Sequence, residues 1–347
     1  MTEVARKEWL TLSVVMAVRN EAAYIGPVLD DVSRQDLPQE EFELIIADGE
    51  SGDGTWELLR RWAGDHRSLD VALLQNPNRW QYPGVNLAIR RARGRAMLIL
   101  DGHCRLPDDF LRRNLEALRA SGADVVGGLC ETKGSPELLG SAIEAALSHP
   151  FGVGGSRFRI GAKAGRADVV PFGCFRREVF ERIGLYREEL GSNADLELFE
   201  RVRRAGKKVH LDPAIRSTYL ARGDLVALAR QMFRNGRWFP AHLRAARSRH
   251  LAPAVLVVSL VGLPIVGAAW PAALWAWGGV VAAYGLGSLI ASAHLAVKHK
   301  RPGLVLSGPI VFSAMHLPYG LGWLAGFLSP DVLKAWMARR APAPRLD

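Results

Sequence analysis

The sequence predicts an α/β domain with a mostly parallel, Rossmann-like sheet, followed by a basic interfacial helix and membrane-crossing helices. Three observations carry that expectation. Strand-length apolar runs alternate with amphipathic stretches of helix length through the first part of the chain. Two long uncharged runs stand near its end. Polar, chemistry-bearing residues follow directly on several of the apolar runs, where open α/β sheets bind their ligands. The 347 residues average a mean hydropathy of +0.03. With 49% hydrophobic residues, 45 Lys+Arg against 35 Asp+Glu and 3 cysteines, the chain falls outside the disordered, collagen-like and disulfide-scaffold classes.

The alternation opens with an apolar run over 10–18 and a helical pattern over 21–34, then 42–47 and 55–63. It continues with a strand over 71–74, a helix over 84–92, a strand over 96–100, a helix over 107–120 and a strand over 125–129. The segment 135–208 is less regular and Gly-rich, but contains a clear helix over 195–205 that Gly206 ends, with a strand over 208–211 beyond it. The Pro/Ala-rich stretch 341–344 reads as a disordered end.

Residues 251–297 and 304–330 hold no Asp, Glu, Lys or Arg over 47 and 27 positions. Both exceed the ~20 apolar residues that cross a bilayer, and helices of globular proteins keep a polar face that these runs lack. The expected segments are 251–270, 272–297 and 304–328, with Trp270-Pro271 as a hairpin. Lys298, Lys300 and Arg301 mark a cytoplasmic loop. A third crossing would leave Lys334, Arg339, Arg340 and Arg345 outside, against the positive-inside rule, whereas Pro309 and Pro318 would let the segment enter and return. Two and three spans both remain open at this point. Over 225–250, Arg230, Arg234, Arg237, Arg244, Arg247 and Arg249 interleave with Leu228, Met232, Phe233, Trp238 and Phe239, as suits a helix on anionic headgroups. That stretch accounts for much of the net charge of +10 and weighs against a nucleic-acid partner.

The division expected is a catalytic domain over 1–224, an interfacial segment over 225–250, a membrane region over 251–330 and a basic tail over 331–347. The N-terminus, with Glu3, Arg6, Lys7 and Glu8, has no apolar stretch of the secretory kind, which places the catalytic domain in the cytoplasm, on the inner membrane. Cys104, Cys130 and Cys174 are too far apart for a Cys-x-x-Cys pair and fit reduced thiols.

Three strand ends carry the chemistry: Arg19-Asn20-Glu21, then Asp48-Gly49-Glu50-Ser51-Gly52-Asp53-Gly54, then Asp101-Gly102-His103. Asp53 reads as part of a turn and helix cap. A cap does not explain Asp48 and Asp101, each closing an apolar strand. Asp101-x-His103 offers a carboxylate oxygen and an imidazole nitrogen, both suited to a divalent ion, and such an ion neutralises a diphosphate leaving group.

These residues resemble a family. Residues 15–21, 47–55 and 100–103 are similar to the nucleotide-sugar-binding signature of family 2 glycosyltransferases, which have a GT-A fold. The resemblance is closer to the membrane-bound succinoglycan-type exopolysaccharide glucosyltransferases. It runs through Asn76-Pro77 to Asn86, His149-Pro150-Phe151-Gly152-Val153-Gly154, Val170-Pro171-Phe172-Gly173, Asn193-Ala194-Asp195-Leu196-Glu197-Leu198 and Gln231 to Trp238, so that it covers about residues 10–245.

The resemblance implies that Asp48 receives the uracil edge and that Ala17, Arg19 and Glu21 line the nucleotide pocket. It implies that Asp101 meets the ribose or the metal-bound phosphate, with His103 as a ligand of Mn²⁺ or Mg²⁺. Asp195 stands at the position of the general base, which takes the acceptor's proton as its oxygen attacks the anomeric carbon. The family's usual acid or amide before it is Ala194 here. Glu197, about 200° further round the helix, faces away. Gln231, Arg237 and Trp238 resemble a Gln-x-x-Arg-Trp segment lengthened by three residues, which in relatives covers the diphosphate and acceptor. Membrane anchoring accounts for Arg237 and Trp238 nearly as well, and Arg234 suits an anchor better. The implied function is an inverting, metal-dependent transfer of a hexose from a UDP-sugar to a polyprenyl-linked acceptor. Alternatives are a polyprenyl-phosphate hexose synthase, which glycosylates the bare lipid phosphate, and an inert nucleotide-binding membrane scaffold.

Overall fold

The computed structural model describes residues 10–135, 137–221, 224–245, 247–339 and 341–346. The N-terminal charges Glu3, Arg6, Lys7 and Glu8, Arg340 and the side chain of Arg249 lie outside the described residues. In chain order the first elements are β1 (Leu10–Val18), α1 (Ile25–Ser33), β2 (Phe42–Asp48), α2 (Thr55–Asp65), β3 (Asp70–Gln75) and α3 (Gln81–Arg91). Next come β4 (Gly94–Leu100), β5 (Cys104–Arg105), α4 (Phe110–Ser121), β6 (Val125–Lys133), α5 (Leu138–Leu147), α6 (Pro150–Val153) and α7 (Arg157–Ile160). Then follow β7 (Gly165–Arg166), β8 (Cys174–Arg176), α8 (Arg177–Ile183), α9 (Ala194–Arg204), β9 (Val209–Leu220) and α10 (Leu225–Trp238). The chain closes with α11 (Ser248–Gly267), α12 (Ala272–His299), α13 (Leu304–Phe327) and α14 (Pro330–Ala338).

Two compact units emerge, one of residues 1–130, 161–219 and 341–347, the other of 131–160 and 220–340. Among the described residues the sheet has nine strands in the order β3-β2-β1-β4-β8-β6-β9-β5, with β7 on β9. Strands β3, β2, β1 and β4 run parallel, and β8 joins β4 antiparallel. The sheet is therefore parallel where the sequence alternates strand with helix and mixed beyond it. β2 is buried along its whole length, and β1 nearly so, as expected of parallel strands covered on both faces. Leu12, Val14, Met16, Leu44, Ile46 and Leu98 make the centre of the core.

Register decides what reaches the binding edge. Val18 pairs with Asp48 across β1 and β2, and Met16 with Leu100 across β1 and β4, so Ala17 is level with Asp101. At the opposite edge Ser13 lies across from Glu43, and its hydroxyl donates to Glu43 Oε1 at 2.6 Å. The Arg93 amide donates to the same oxygen at 2.6 Å, its guanidinium to Oε2 at 3.1 Å, and the Gly94 amide to Ser13 Oγ at 2.7 Å. A Cβ on Gly94 would collide with the β1 backbone at Leu12 and Ser13, so only glycine lets β4 enter here.

Several expected elements differ. The first helix begins at Ile25 rather than residue 21, because the amides of Tyr24 and Ile25 both donate to Glu21 O at 2.8 Å and close a turn first. The irregular segment hides α5, which is apolar on nearly every side and so shows no helical period. The strand expected over 208–211 continues to Leu220 through Pro213. Residues 341–344 are not disordered: the Leu185 amide donates to Pro344 O at 2.7 Å and the Arg187 guanidinium to Ala341 O at 2.6 Å. All three cysteines are buried thiols outside any disulfide among the described residues.

In the second unit three helices are long and apolar enough to cross a membrane: residues 250–267, Ala272–His299 and Leu304–Phe327. Pro309 and Pro318 sit inside α13 without breaking it. The helix expected over 225–250 stops at Trp238, and a 3₁₀ turn (Phe239–Ala245) separates it from α11. Rather than only resting on headgroups, α10 packs closely along α13. A Cβ at Gly236, Gly322 or Gly326 would strike the facing backbone at Tyr319, Phe233 or Arg237. Arg230 and Arg234 stay exposed on its outer side.

Replacing Glu43 by Gln removes the charge that binds Arg93. We expect a loss of about 2–4 kcal/mol, read as a drop of several degrees in the thermal midpoint of the detergent-solubilised protein.

Candidate functional site

The strand tips of β1, β3 and β4 and the start of α3 form a cleft lined by Ala17, Arg19, Glu21, Asp101 and His103 together with Asn76, Trp80 and Gln81. Its cavity of about 180 Å³ is smaller than the ~300 Å³ at the lower end of small-molecule sites. It therefore holds part of a ligand, with the remainder in the open cleft. Five of the residues singled out from sequence thus share one wall. Asp48 lies just beneath them, 1% exposed, its carboxylate accepting from the Ser51 amide at 3.0 Å and hydroxyl at 2.6 Å.

The loops are tied to each other before any ligand arrives. The Asn20 amide donates to Ser51 Oγ, and the Gly52 amide to Asn20 Oδ1, both at 2.9 Å. Asp53 stands one residue before the cap Gly54. Its carboxylate accepts from Thr55 and, at 3.0 Å, from the Ala22 amide, so it joins the β1 and β2 loops instead of serving as the cap itself. The Thr55 hydroxyl bond comes first in holding its pKa below the usual carboxylate value, with the Ala22 and Thr55 amides adding to it against a small opposing effect of burial. Asn20, Glu50 and Arg79 all take positive φ (54°, 51° and 61°) at these tips. Non-glycine residues held there store strain, which is common where a loop is shaped for a ligand.

His103 Nδ1 lies 3.1 Å from Glu21 Oε1. With the proton on Nδ1 and donated to Glu21, the lone pair is on Nε2, the arrangement that carboxylate–histidine pairs adopt at metal sites. Burial pushes the Asp101 carboxyl above the usual carboxylate range, with Glu21 adding to the shift and His103 opposing it. Gln81 donates to Asp101 Oδ1 at 3.2 Å. Among the described residues no group of three or more His, Cys, Asp and Glu is arranged to hold a metal ion. Asp101 and His103 both line the cleft, and a carboxylate with an imidazole would supply two ligands to an ion completed by phosphate oxygens and water.

Asp195 occupies the first turn of α9. The helix terminus and the amide of Leu196 favour its ionised form, yet burial, with Asp101 adding to it, pushes its pKa up to about 6. Asp195 is nonetheless exposed at the molecular surface. Its turn is set from a distance. The N-cap Asn193 has φ 58° and makes no side-chain capping bond; instead the Ala194 amide donates to the Tyr82 hydroxyl of α3 at 2.9 Å. Tyr82 stacks on Tyr186 at 5.5 Å, and Tyr186 is clamped through its amide and carbonyl by Asn86 at 2.9 and 2.8 Å. Glu197 is buried and binds Arg187 and Arg201, a structural pairing in agreement with its expected turn away from the cleft.

Sequence reasoning did not single out Trp80, Gln81, Tyr82 or Tyr186. The available signal was an aromatic pair, Trp80 and Tyr82, directly after the Asn76-Pro77 turn, with Trp80 64% exposed at the rim. The other predicted residues belong to the second unit. Gln231 and Trp238 are half-buried on α10. Arg237 donates to Ser329 Oγ at 2.9 Å and lies 3.7 Å from Asp331, so its guanidinium is engaged at the end of α13.

A parallel sheet with carboxylates and an imidazole at its strand tips, and a carboxylate of raised pKa at the start of α9, has the layout of an α/β enzyme that binds its ligand beyond the strand ends. Residues 13–184 match the family model described as glycosyl transferase family 2. The chain is 30% identical over 322 residues to the succinoglycan biosynthesis protein ExoA of Rhizobium meliloti (strain 1021), covering 90% of this chain and 93% of that one. It belongs to glycosyltransferase family 2. A dolichyl N-acetyl-alpha-D-glucosaminyl phosphate glucuronosyltransferase of Methanococcus voltae is 23% identical over 91% of this chain and 97% of its own. Among solved structures, the mannosyltransferase PcManGT of Pyrobaculum calidifontis, in complex with GDP-Man and Mn²⁺, superposes with a TM-score of 0.60 at 20% identity, over 92% of this chain and 88% of that one. The GT-A-type fold is thereby shared.

Changing Tyr82 to Phe leaves the buried Ala194 amide without its acceptor. The expected cost is about 1–3 kcal/mol, seen as faster amide hydrogen exchange at residues 194–196 with little change in the rest of the sheet.

Proposed function

We propose that the protein is an inverting glycosyltransferase that moves a hexose from a UDP-sugar to a polyprenyl-linked saccharide at the cytoplasmic face of the inner membrane, in exopolysaccharide or cell-surface glycan assembly. The observation that carries this reading is the joint placement of Asp101, His103 and Glu21 at the strand tips and of Asp195 within electrostatic reach of Asp101. Asp195, with its pKa raised to about 6, is basic enough to accept the acceptor's proton and still ionised at neutral pH. Asp48, Ala17 and Arg19 receive the nucleotide. Trp80 forms the outer rim.

Asp101 and His103 would hold a divalent ion, Mn²⁺ or Mg²⁺, and Glu21 fixes the His103 ring. Such an ion supplies charge neutralisation at the leaving diphosphate. The lipid-linked acceptor is supported by three apolar helices and by the acceptor that the Methanococcus relative's name specifies, a dolichyl phosphate already bearing a sugar. A saccharide on a lipid cannot travel far into water, so the enzyme is held at the membrane that carries it.

Purified protein with Mn²⁺, a panel of UDP-sugars and polyprenyl-linked saccharides should release UDP. Asp195→Asn should slow that release by about 10²–10⁴-fold. Equal rates for the two proteins would refute the enzymatic role of Asp195, and transfer to bare polyprenyl phosphate alone would identify a hexose synthase instead. The raised pKa keeps the proton on Asp195 as pH falls. kcat/KM should therefore hold above pH 6 and decline about tenfold per pH unit below it, with the limb set near the pKa of about 6. Mn²⁺ binding followed by electron paramagnetic resonance in the presence of UDP should weaken markedly in His103→Ala.

A further inference from the structure

The motif His149-Pro150-Phe151-Gly152 takes no part in the site described above. It lies in the second unit, and each residue has a distinct task there. Pro150 begins α6, while Phe151 sits among the rings of Phe312, His316 and Tyr284 at 4.9, 5.3 and 5.9 Å. Gly152 lets α6 press on the carbonyl of Ala146. These contacts fix the segment against α12 and α13, which leaves the imidazole of His149 to account for.

Its hydrogen bonds determine its protonation. The Phe151 amide donates to His149 Nδ1 at 3.1 Å, so Nδ1 holds a lone pair and the proton sits on Nε2. His149 Nε2 lies 3.1 Å from His294 Nδ1 on α12. His294 Nδ1 is therefore the acceptor, and its own proton is on Nε2, across the ring from His149. Two neutral imidazoles in series thus end in one N–H donor. Burial, with His294 and Lys298 adding to it, holds the His149 pKa below its ordinary value, which favours its neutral form.

His294 is exposed, and so is Lys298, one turn further along α12. Position 294 lies only about 7 Å of helix rise before the helix ends at His299, the depth at which lipid headgroups meet the hydrocarbon. Lys300 and Arg301 follow, Arg301 bonded to the Ser141 hydroxyl. Facing this end from α5 is Glu144, which already accepts from the Gly134 amide at 3.0 Å. The buried His299 Nε2 has no hydrogen-bond partner among the described residues. A fixed donor, a neighbouring ammonium group and a surplus of positive charge at headgroup depth suit an anionic oxygen carried by a lipid.

We infer that His294 and Lys298, with His149 behind them, bind the phosphate of the polyprenyl acceptor where it emerges from the bilayer. This deepens the proposed function and rests on its lipid-linked acceptor. His149 is a positioning residue: it fixes the tautomer and angle of His294 and need not touch the lipid.

The test uses the full-length protein in phosphatidylcholine nanodiscs, with undecaprenyl monophosphate as the probe and retention followed by native mass spectrometry. Two substitutions at one position separate the roles. In His294→Asn the side-chain oxygen replaces Nδ1, so the bond from His149 survives and the outward donor is lost. In His294→Gln the amide nitrogen replaces Nε2, so the outward donor survives. We expect one lipid per chain in the wild type and in His294→Gln, and about tenfold weaker retention in His294→Asn and in Lys298→Gln, with UDP binding unchanged in all. Wild-type retention by His294→Asn would overturn the inference. So would equal displacement of the probe by phosphatidylglycerol, which would make the patch a general headgroup contact. Transfer to polyprenyl-linked saccharides with an acceptor KM unaltered in His294→Asn would refute this site while leaving the proposed function intact. Specific lipid retention without any UDP release would do the reverse.

Discussion

The buried carboxylate of Glu43 is the interaction on which the arrangement of the catalytic edge depends. It sits in β2 directly across from Ser13 of β1, and it accepts hydrogen bonds from that hydroxyl and from the amide and guanidinium of Arg93 at the entrance to β4. One side chain thereby locks three parallel strands at the edge remote from the ligand. A slip of one residue would turn each strand's apolar set away from the core. It would also misalign the far ends, where Asp48 pairs with Val18 and Asp101 comes level with Ala17. The chemistry is thus laid out by a bond at the other end of the sheet.

The helix that carries Asp195 is governed by the same kind of remote control. α9 has no side-chain cap of its own, and its first amide is bound by Tyr82, 112 residues earlier in the chain. Tyr82 is held in turn by stacking on Tyr186, which Asn86 grips at both its amide and its carbonyl. Asp195 consequently stands at the start of α9 with a carboxylate that burial, and to a lesser extent Asp101, makes more basic. A helix terminus alone would have made it more acidic.

In the second unit close backbone contact takes over from polar networks. Gly236, Gly322 and Gly326 let α10 lie against α13 without intervening side chains. Within a bilayer such packing contributes where the hydrophobic effect cannot, since lipid is as apolar as the helices themselves. Arg230 and Arg234 then remain on the outer side, available to headgroups, while Arg237 is drawn to Ser329 and Asp331. Amphipathic patterning identified α10 as a helix, and only packing decided which of its arginines face outward.

The sequence by itself determined the parallel half of the sheet, because strands buried on both faces leave uninterrupted apolar runs that end in Asp48 and Asp101. It also determined that apolar helices close the chain, because a bilayer removes charge over a whole span, though not whether two or three of them cross, and it brought Arg19, Glu21, Asp48, Asp101 and His103 to one edge by topology alone. It did not reveal α5, whose apolar circumference has no period, or the course of β9 through Pro213, or the docking of residues 341–345. Nor could it give the raised pKa of Asp195, or find Tyr82 and Tyr186. Local patterning records which way a residue faces along its own element. The pKa of a carboxylate, the tautomer of a histidine and the partner of a helix terminus depend on groups remote in the chain, and only the tertiary structure brings those together.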